Sequence, residues 1–136
     1  MIKTETTIRV RYAETDQMGF VYYGIYAQYY EVGRVEAMRS FGLSYKEVES
    51  RGILLPVINL SIQYKKAALY DDEVRIVTMI KQIPTARFVF EHECYNQKNE
   101  LLNTGSVTLV FVDKEKNKPI LAPKWFLDEF NKMFNR

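Results

Sequence analysis

A chain of 136 residues can bury a sizeable core, and 47% apolar content with only 6 glycines and 4 prolines describes a globular protein. A net charge of +2 without any lysine or arginine block excludes a nucleic-acid footprint, and no apolar run nears the roughly 18–20 residues that span a bilayer. The start lacks the apolar stretch of a secretory signal, and a lone cysteine excludes an internal disulfide framework, so the expectation is one cytoplasmic domain over 1–136.

Residues 6–12, TTIRVRY, alternate Ile8, Val10 and Tyr12 against Thr7, Arg9 and Arg11, the pattern of a half-buried strand. A loop, ETDQMGFVYYGIY over 14–26, carries two acids, two glycines and a tyrosine pair. From about Gly24 to Phe41 the residues Tyr26, Tyr30, Gly33, Ala37 and Phe41 recur on one stripe, with Tyr29 beside them. Eighteen residues at 1.5 Å each give a rod of roughly 27 Å. Gly33 costs about 1 kcal/mol in a helix interior relative to alanine. With Ala37 one turn on, it provides a narrow surface for close approach to a sheet.

Residues 58–65 alternate Ile58, Leu60, Ile62 and Tyr64 against Asn59, Ser61, Gln63 and Lys65. The stretches 73–83, 87–96 and 101–113 are rich in β-branched and aromatic residues. Their short connections suit antiparallel hairpins and leave no room for crossover helices. Cys94 reads as a small buried hydrophobe. His92 shares a strand face with Phe88, Phe90 and Cys94, which reads as a core or interface histidine. The last amphipathic piece, PKWFLDEFNKMF, predicts a short C-terminal helix with Pro123 near its first turn. The expected fold is therefore α+β, with about five antiparallel strands, one long helix and a short C-terminal helix. Val107, Leu109 and Phe111 alternate with Thr108, Val110 and Val112, leaving more apolar sheet than one helix covers. That surplus suits a second subunit.

The chain has no GxSxG elbow, P-loop or dinucleotide-binding glycine fingerprint. One histidine and one cysteine cannot furnish a zinc site or support a hydrolytic triad. No metal and no cofactor is expected. The loop over 14–26 offers a different chemistry, because it delivers acids beside the first turn of the long helix. The N–H groups there lack intrahelical partners and can hold a developing oxyanion. Gly24, without a Cβ, lets a substrate approach the backbone, and Tyr22 and Tyr23 supply an apolar wall. Asp16 fits acyl transfer in this setting, and it fits equally well a loop aspartate that caps its own turn.

The run RYAETDQMGFVYYGIYAQYYEVGRVEAM resembles the signature of the hotdog-fold acyl-CoA thioesterases of the 4-hydroxybenzoyl-CoA thioesterase family. ILLPVINLSIQYKKAALYDDEVRI and FVDKEKNKPILAPKW extend the likeness over roughly 7–125. The resemblance implies a curved antiparallel sheet wrapped around one central helix. It also implies dimers that join their sheets, often paired as tetramers, with active sites between subunits. By position, Asp16 is the implied catalytic carboxylate, and the backbone around Tyr23 and Gly24 polarises the thioester oxygen. Many relatives carry histidine where this chain has Tyr23. Glu31 falls at the family's helix acid, which either orients the acyl group or holds the helix.

The expected reaction is acyl-CoA thioester hydrolysis. Thiols ionise near pH ~8.5, so a thiolate leaves with little protonation help. Asp16 is then either a nucleophile, forming an anhydride, or the base that activates water. Lys65, Lys66 and Arg87 are candidates for the CoA phosphates, with plain solvated charge as the competing reading. Tyr22 and Tyr26 belong with them as substrate-binding candidates. An acyl carrier protein is an alternative acyl donor. The competing functions are a hotdog hydratase or dehydratase, which generally needs a histidine in this motif, and a non-catalytic acyl-CoA-binding module.

Overall fold

The computed structural model describes residues 1–135. Its strands are β1 (Ile2–Arg9), β2 (Ile53–Leu54), β3 (Val57–Tyr64), β4 (Glu73–Ile80), β5 (Arg87–Tyr95), β6 (Leu101–Asp113) and β7 (Lys118–Ile120). The helices are α1 (Ile25–Ser40), α2 (Tyr45–Ser50) and α3 (Lys124–Phe134), with a single 3-10 turn at Tyr12–Glu14. Five strands run in the order β1-β4-β5-β6-β3, every pair antiparallel, and the short β2 and β7 pair with the far end of β6. This is the hotdog fold that the sequence predicts.

The expected first strand is displaced. It begins at Ile2 and ends at Arg9, while Tyr12 is exposed in the 3-10 turn. Alternation in the sequence continues past Arg9, but Glu14 folds back on the Arg11 backbone and ends the ladder there. The short β2, β7 and α2 carry too few residues to show a period.

Helix α1 lies against the sheet through Tyr26, Tyr29, Tyr30, Gly33, Ala37 and Met38, all buried. A Cβ at Gly33 would collide with Thr78 Oγ1 and come within 2.9 Å of Ile76 Cγ2. Glycine is what lets the helix descend onto β4. The helix covers a polar layer as well. His92 Nδ1 pairs with Thr78 Oγ1 at 3.0 Å, its ring stacks on Tyr30 at 4.4 Å, and the Tyr30 hydroxyl donates to Asn103 Oδ1 at 2.5 Å. Burial, with the Arg34 charge adding to it, holds the His92 pKa down at about 3, so the imidazole is neutral. Helix α3 closes the other end, where Phe126 and Phe130 pack edge-on against Phe41 and Phe88.

Strand β3 is the exception to this burial. Among the described residues its outer edge has no neighbouring strand, and Val57, Ile58, Leu60 and Tyr64 are 43–51% exposed. Among the described residues, no helix is long and apolar enough to cross a membrane.

Candidate active site

The loop between β1 and α1 is held by three local devices. Thr15 bridges Val21, Phe20 bridges Leu69, and Gly19 turns the chain at φ +82°, a conformation that glycine adopts without strain. Glu14 anchors the loop from inside. Its carboxylate is only 7% exposed and accepts from the Arg11 backbone N–H at 2.8 Å, the Tyr29 hydroxyl at 2.8 Å and the Arg11 guanidinium at 3.2–3.3 Å. Burial alone would raise the Glu14 pKa, but these donors outweigh it and hold the carboxyl below its ordinary value. The same burial, reinforced by the Glu14 carboxylate, pushes the Tyr29 hydroxyl well above the usual phenol range. The two acids expected beside the helix therefore separate: Glu14 turns inward and Asp16 faces out.

Asp16 Oδ1 accepts from the N–H groups of Met18 at 2.9 Å and Phe20 at 3.2 Å. Its own N–H donates to the Phe20 carbonyl at 2.8 Å. The turn-capping reading of Asp16 is thus realised through Oδ1. Oδ2 has no protein donor among the described residues, and Asp16 lines a groove of ≈ 310 Å³ with Met18, Phe20, Val21, Tyr23, Tyr26, Tyr64, Lys65, Lys66 and Ala67. The walls are mostly apolar, which suits a water-poor acyl site.

At the start of α1, Gly24 is the N-cap and Ile25 N–H donates to the Tyr22 carbonyl at 2.9 Å. The N–H groups of Tyr23 and Gly24 donate to no acceptor among the described residues. They are the exposed amides that a carbonyl oxygen needs. Tyr23 lines the groove, and its ring lies 4.5 Å from that of Tyr22, tilted by 40°. A Cβ on Gly24 would sit 3.0 Å from the Tyr22 ring, so glycine also gives that ring its place. The Tyr64 hydroxyl donates to the Tyr23 carbonyl at 3.0 Å, and the Tyr26 hydroxyl accepts from the Ala68 N–H at 3.1 Å. Two tyrosines thus tie the helix start to the end of β3 and to the segment that follows it.

Five residues proposed from the sequence line this groove, Asp16, Tyr23, Tyr26, Lys65 and Lys66, and Gly24 adjoins it as the N-cap of α1. Lys66 forms an ion pair with Glu100, while Lys65 has no acidic partner among the described residues. Tyr22 borders the site through its ring contact with Tyr23. Glu31 and Arg87 stand apart from it. Glu31 is an exposed residue of α1 lining a different cavity, and Arg87 starts β5 opposite Val110, near the Val57 end of β3. Met18, Phe20 and Tyr64 complete the walls without having been singled out. Tyr64 had a visible signal, as the last aromatic of an alternating strand directly before two lysines.

On a hotdog fold, an apolar groove with an open carboxylate beside a helix start suits the chemistry of thioester hydrolysis. The chain belongs to the thioesterase-like superfamily, whose family model matches residues 10–130. It is 33% identical over 123 residues to the acyl-CoA thioester hydrolase YbgC of Escherichia coli O6:H1, covering 90% of this chain and 92% of that one. It is 39% identical over 121 residues to YneP of Bacillus subtilis strain 168, covering 89% and 88%. The crystal structure of the DHNA-CoA thioesterase from Staphylococcus aureus superposes with a TM-score of 0.91 at 37% identity, covering 99% of this chain and 90% of that one.

Proposed function

We propose that this acyl-CoA thioesterase cleaves its substrate in the groove at the start of α1, with Asp16 as the catalytic carboxylate. The observation that carries this reading is the unpartnered Asp16 Oδ2 in one groove with Tyr23, whose N–H, like that of the adjoining N-cap Gly24, has no acceptor among the described residues. The thioester carbonyl lies over those amides, which stabilise the oxyanion as the tetrahedral centre forms. Asp16 either attacks the carbonyl carbon, forming a mixed anhydride that water then opens to the free acid and the regenerated carboxylate, or takes the proton from attacking water. In both cases the C–S bond breaks and its electron pair leaves on the CoA thiolate. The Met18 and Phe20 amides hold Oδ1, so the free oxygen is presented in one orientation. Lys65 and Lys66 meet the CoA phosphates at the groove's rim, and Tyr22 and Tyr26 flank the acyl portion. An acyl carrier protein can present the same thioester.

The enzyme works as a homodimer in the cytoplasm, two dimers pairing into a tetramer. The unpaired, apolar edge of β3 supports the dimer. Its midpoint lies between Leu60 and Ser61, and symmetric antiparallel pairing there sets Val57 opposite Tyr64 of the partner subunit. The groove of each chain then lies beside the seam.

Release of free thiol from a panel of acyl-CoAs tests the reading, and the expected result is turnover of at least one acyl class. Hydration of crotonyl-CoA without thiol release would assign a hydratase instead. Binding of acyl-CoA with neither reaction would leave only a binding module.

A further inference from the structure

The peptide between Tyr23 and Gly24 sits at the centre of a turn that has two forms open to it. Ile25 N–H donates to the Tyr22 carbonyl at 2.9 Å, which closes the turn over residues 22–25. Gly24, its third residue, has φ -70° and ψ -18°, the type I form. The type II form turns the central peptide over and needs φ > 0 at the third residue. Most residues resist that conformation, and glycine adopts it freely. One peptide flip therefore separates the observed turn from its alternative.

Among the described residues the Tyr23 carbonyl accepts from no backbone N–H. Its partner is the Tyr64 hydroxyl at 3.0 Å. A trans peptide is planar, so its carbonyl and its N–H point to opposite sides. A donor that fixes the Tyr23 oxygen thereby fixes the Gly24 N–H. Tyr64 is well placed to hold this bond. It pairs with Asn103 at the end of β3, and the next two N–H groups, of Lys65 and Lys66, both donate to the Leu102 carbonyl, at 2.8 and 3.0 Å. Its ring lies 5.9 Å from that of Tyr26. Partial burial and the neighbouring Tyr23 push its pKa above the ordinary phenol value, so the hydroxyl keeps its proton at neutral pH.

We propose that Tyr64 is a positioning residue, whose hydroxyl latches the Tyr23–Gly24 peptide in the orientation that offers the Gly24 N–H to the thioester oxygen. Without the latch the peptide turns over, and a carbonyl oxygen stands where the developing oxyanion needs a donor. This rests on the reading above, in which the amides of Tyr23 and Gly24 stabilise that oxyanion.

Tyr64→Phe removes the hydroxyl alone, and the fold survives it because the residue is 51% exposed. The variant should lose about three- to tenfold in kcat, the population shift that one hydrogen bond controls, with KM within about twofold. An unchanged kcat would overturn the proposal. A loss carried by KM would overturn it too, making Tyr64 a wall of the groove. A double-mutant cycle reads the flip itself. Gly24→Ala disfavours φ > 0 and so holds the type I form unaided. Its own cost, from a Cβ 3.0 Å from the Tyr22 ring, is common to both arms of the cycle. In that background the Tyr64→Phe loss should shrink to within about twofold, and an equal loss in both backgrounds would overturn the latch. A measurement without turnover uses an inert ketone analogue, the thioester sulfur replaced by CH₂. Its bound carbonyl stretch should rise in frequency in Tyr64→Phe as the donor is lost, and an unchanged stretch would again overturn the proposal. Failure of the underlying reading registers separately, as wild-type turnover in Asp16→Asn or no thiol release from any acyl-CoA, and removes the proposal with it. A silent Tyr64→Phe beside an inactive Asp16→Asn overturns the latch alone.

Discussion

Glu14 and Asp16 lie two positions apart and carry the same functional group, yet their surroundings give them opposite tasks. Glu14 is saturated by donors from Arg11 and Tyr29, whereas Asp16 keeps an oxygen free. Glu14→Gln places an amide donor against the Arg11 guanidinium and should cost about 1–3 kcal/mol of stability. It should also lower kcat more than it changes KM, because the loop that aims Asp16 loosens while the groove walls remain. Thermal melts and steady-state kinetics on one preparation check both, and a stable Glu14→Gln with unchanged kcat would remove its positioning role. His92 predicts an acid sensitivity with a definite sign. Its folded pKa of about 3 lies below the ordinary value of 6.5, so its contribution to stability is full above pH 6.5 and falls away as pH drops towards 3. The wild-type Tm should therefore fall more steeply between pH 6.5 and 4 than that of His92→Gln. Parallel slopes would contradict the buried neutral imidazole.

At the scale of elements, periodicity disclosed what it could see. The α1 stripe, the β3 alternation and the three long strands each repeat enough times to be read, and their bounds fall within a few residues of those observed. The role of Gly33 was legible from its place on that stripe. Gly33→Ala should destabilise the fold by about 1–3 kcal/mol, because overpacking against Thr78 and Ile76 outweighs a helix-propensity gain of about 1 kcal/mol. A rise in Tm would show that helix and sheet are not so close. Asp16, Tyr23 and Gly24 were named through a motif; Asp16 and Tyr23 line one groove, and Gly24 is the N-cap of the helix beside it. Glu14's inward turn and the bond from the Tyr64 hydroxyl to Tyr23 were not legible, since both depend on which groups meet across 15 or more positions. The Lys65–Lys66 pair follows from its place at the end of β3. A double alanine variant should raise KM severalfold for CoA esters while sparing N-acetylcysteamine thioesters. Equal loss on both would refute phosphate contact.

For the whole molecule, the apolar sheet surface left open lies on the edge strand β3, at Val57, Ile58, Leu60 and Tyr64, and not on β6, from whose alternation a surplus was expected and whose Val107, Leu109 and Phe111 are buried. A lysine at Leu60, the centre of that edge, should give a folded monomer with little activity if each groove needs its neighbour. Sedimentation and thiol release measured together would show it, and a fully active monomer would contradict the shared site. Beneath assembly and positioning lies the chemistry of a single oxygen. The most direct measurement is thiol release by Asp16→Asn under saturating acyl-CoA, paired with equilibrium binding of the same ester. The expected result is a kcat lower by about 10²–10⁴ with affinity nearly unchanged. Turnover close to wild type would place the reaction elsewhere in the fold.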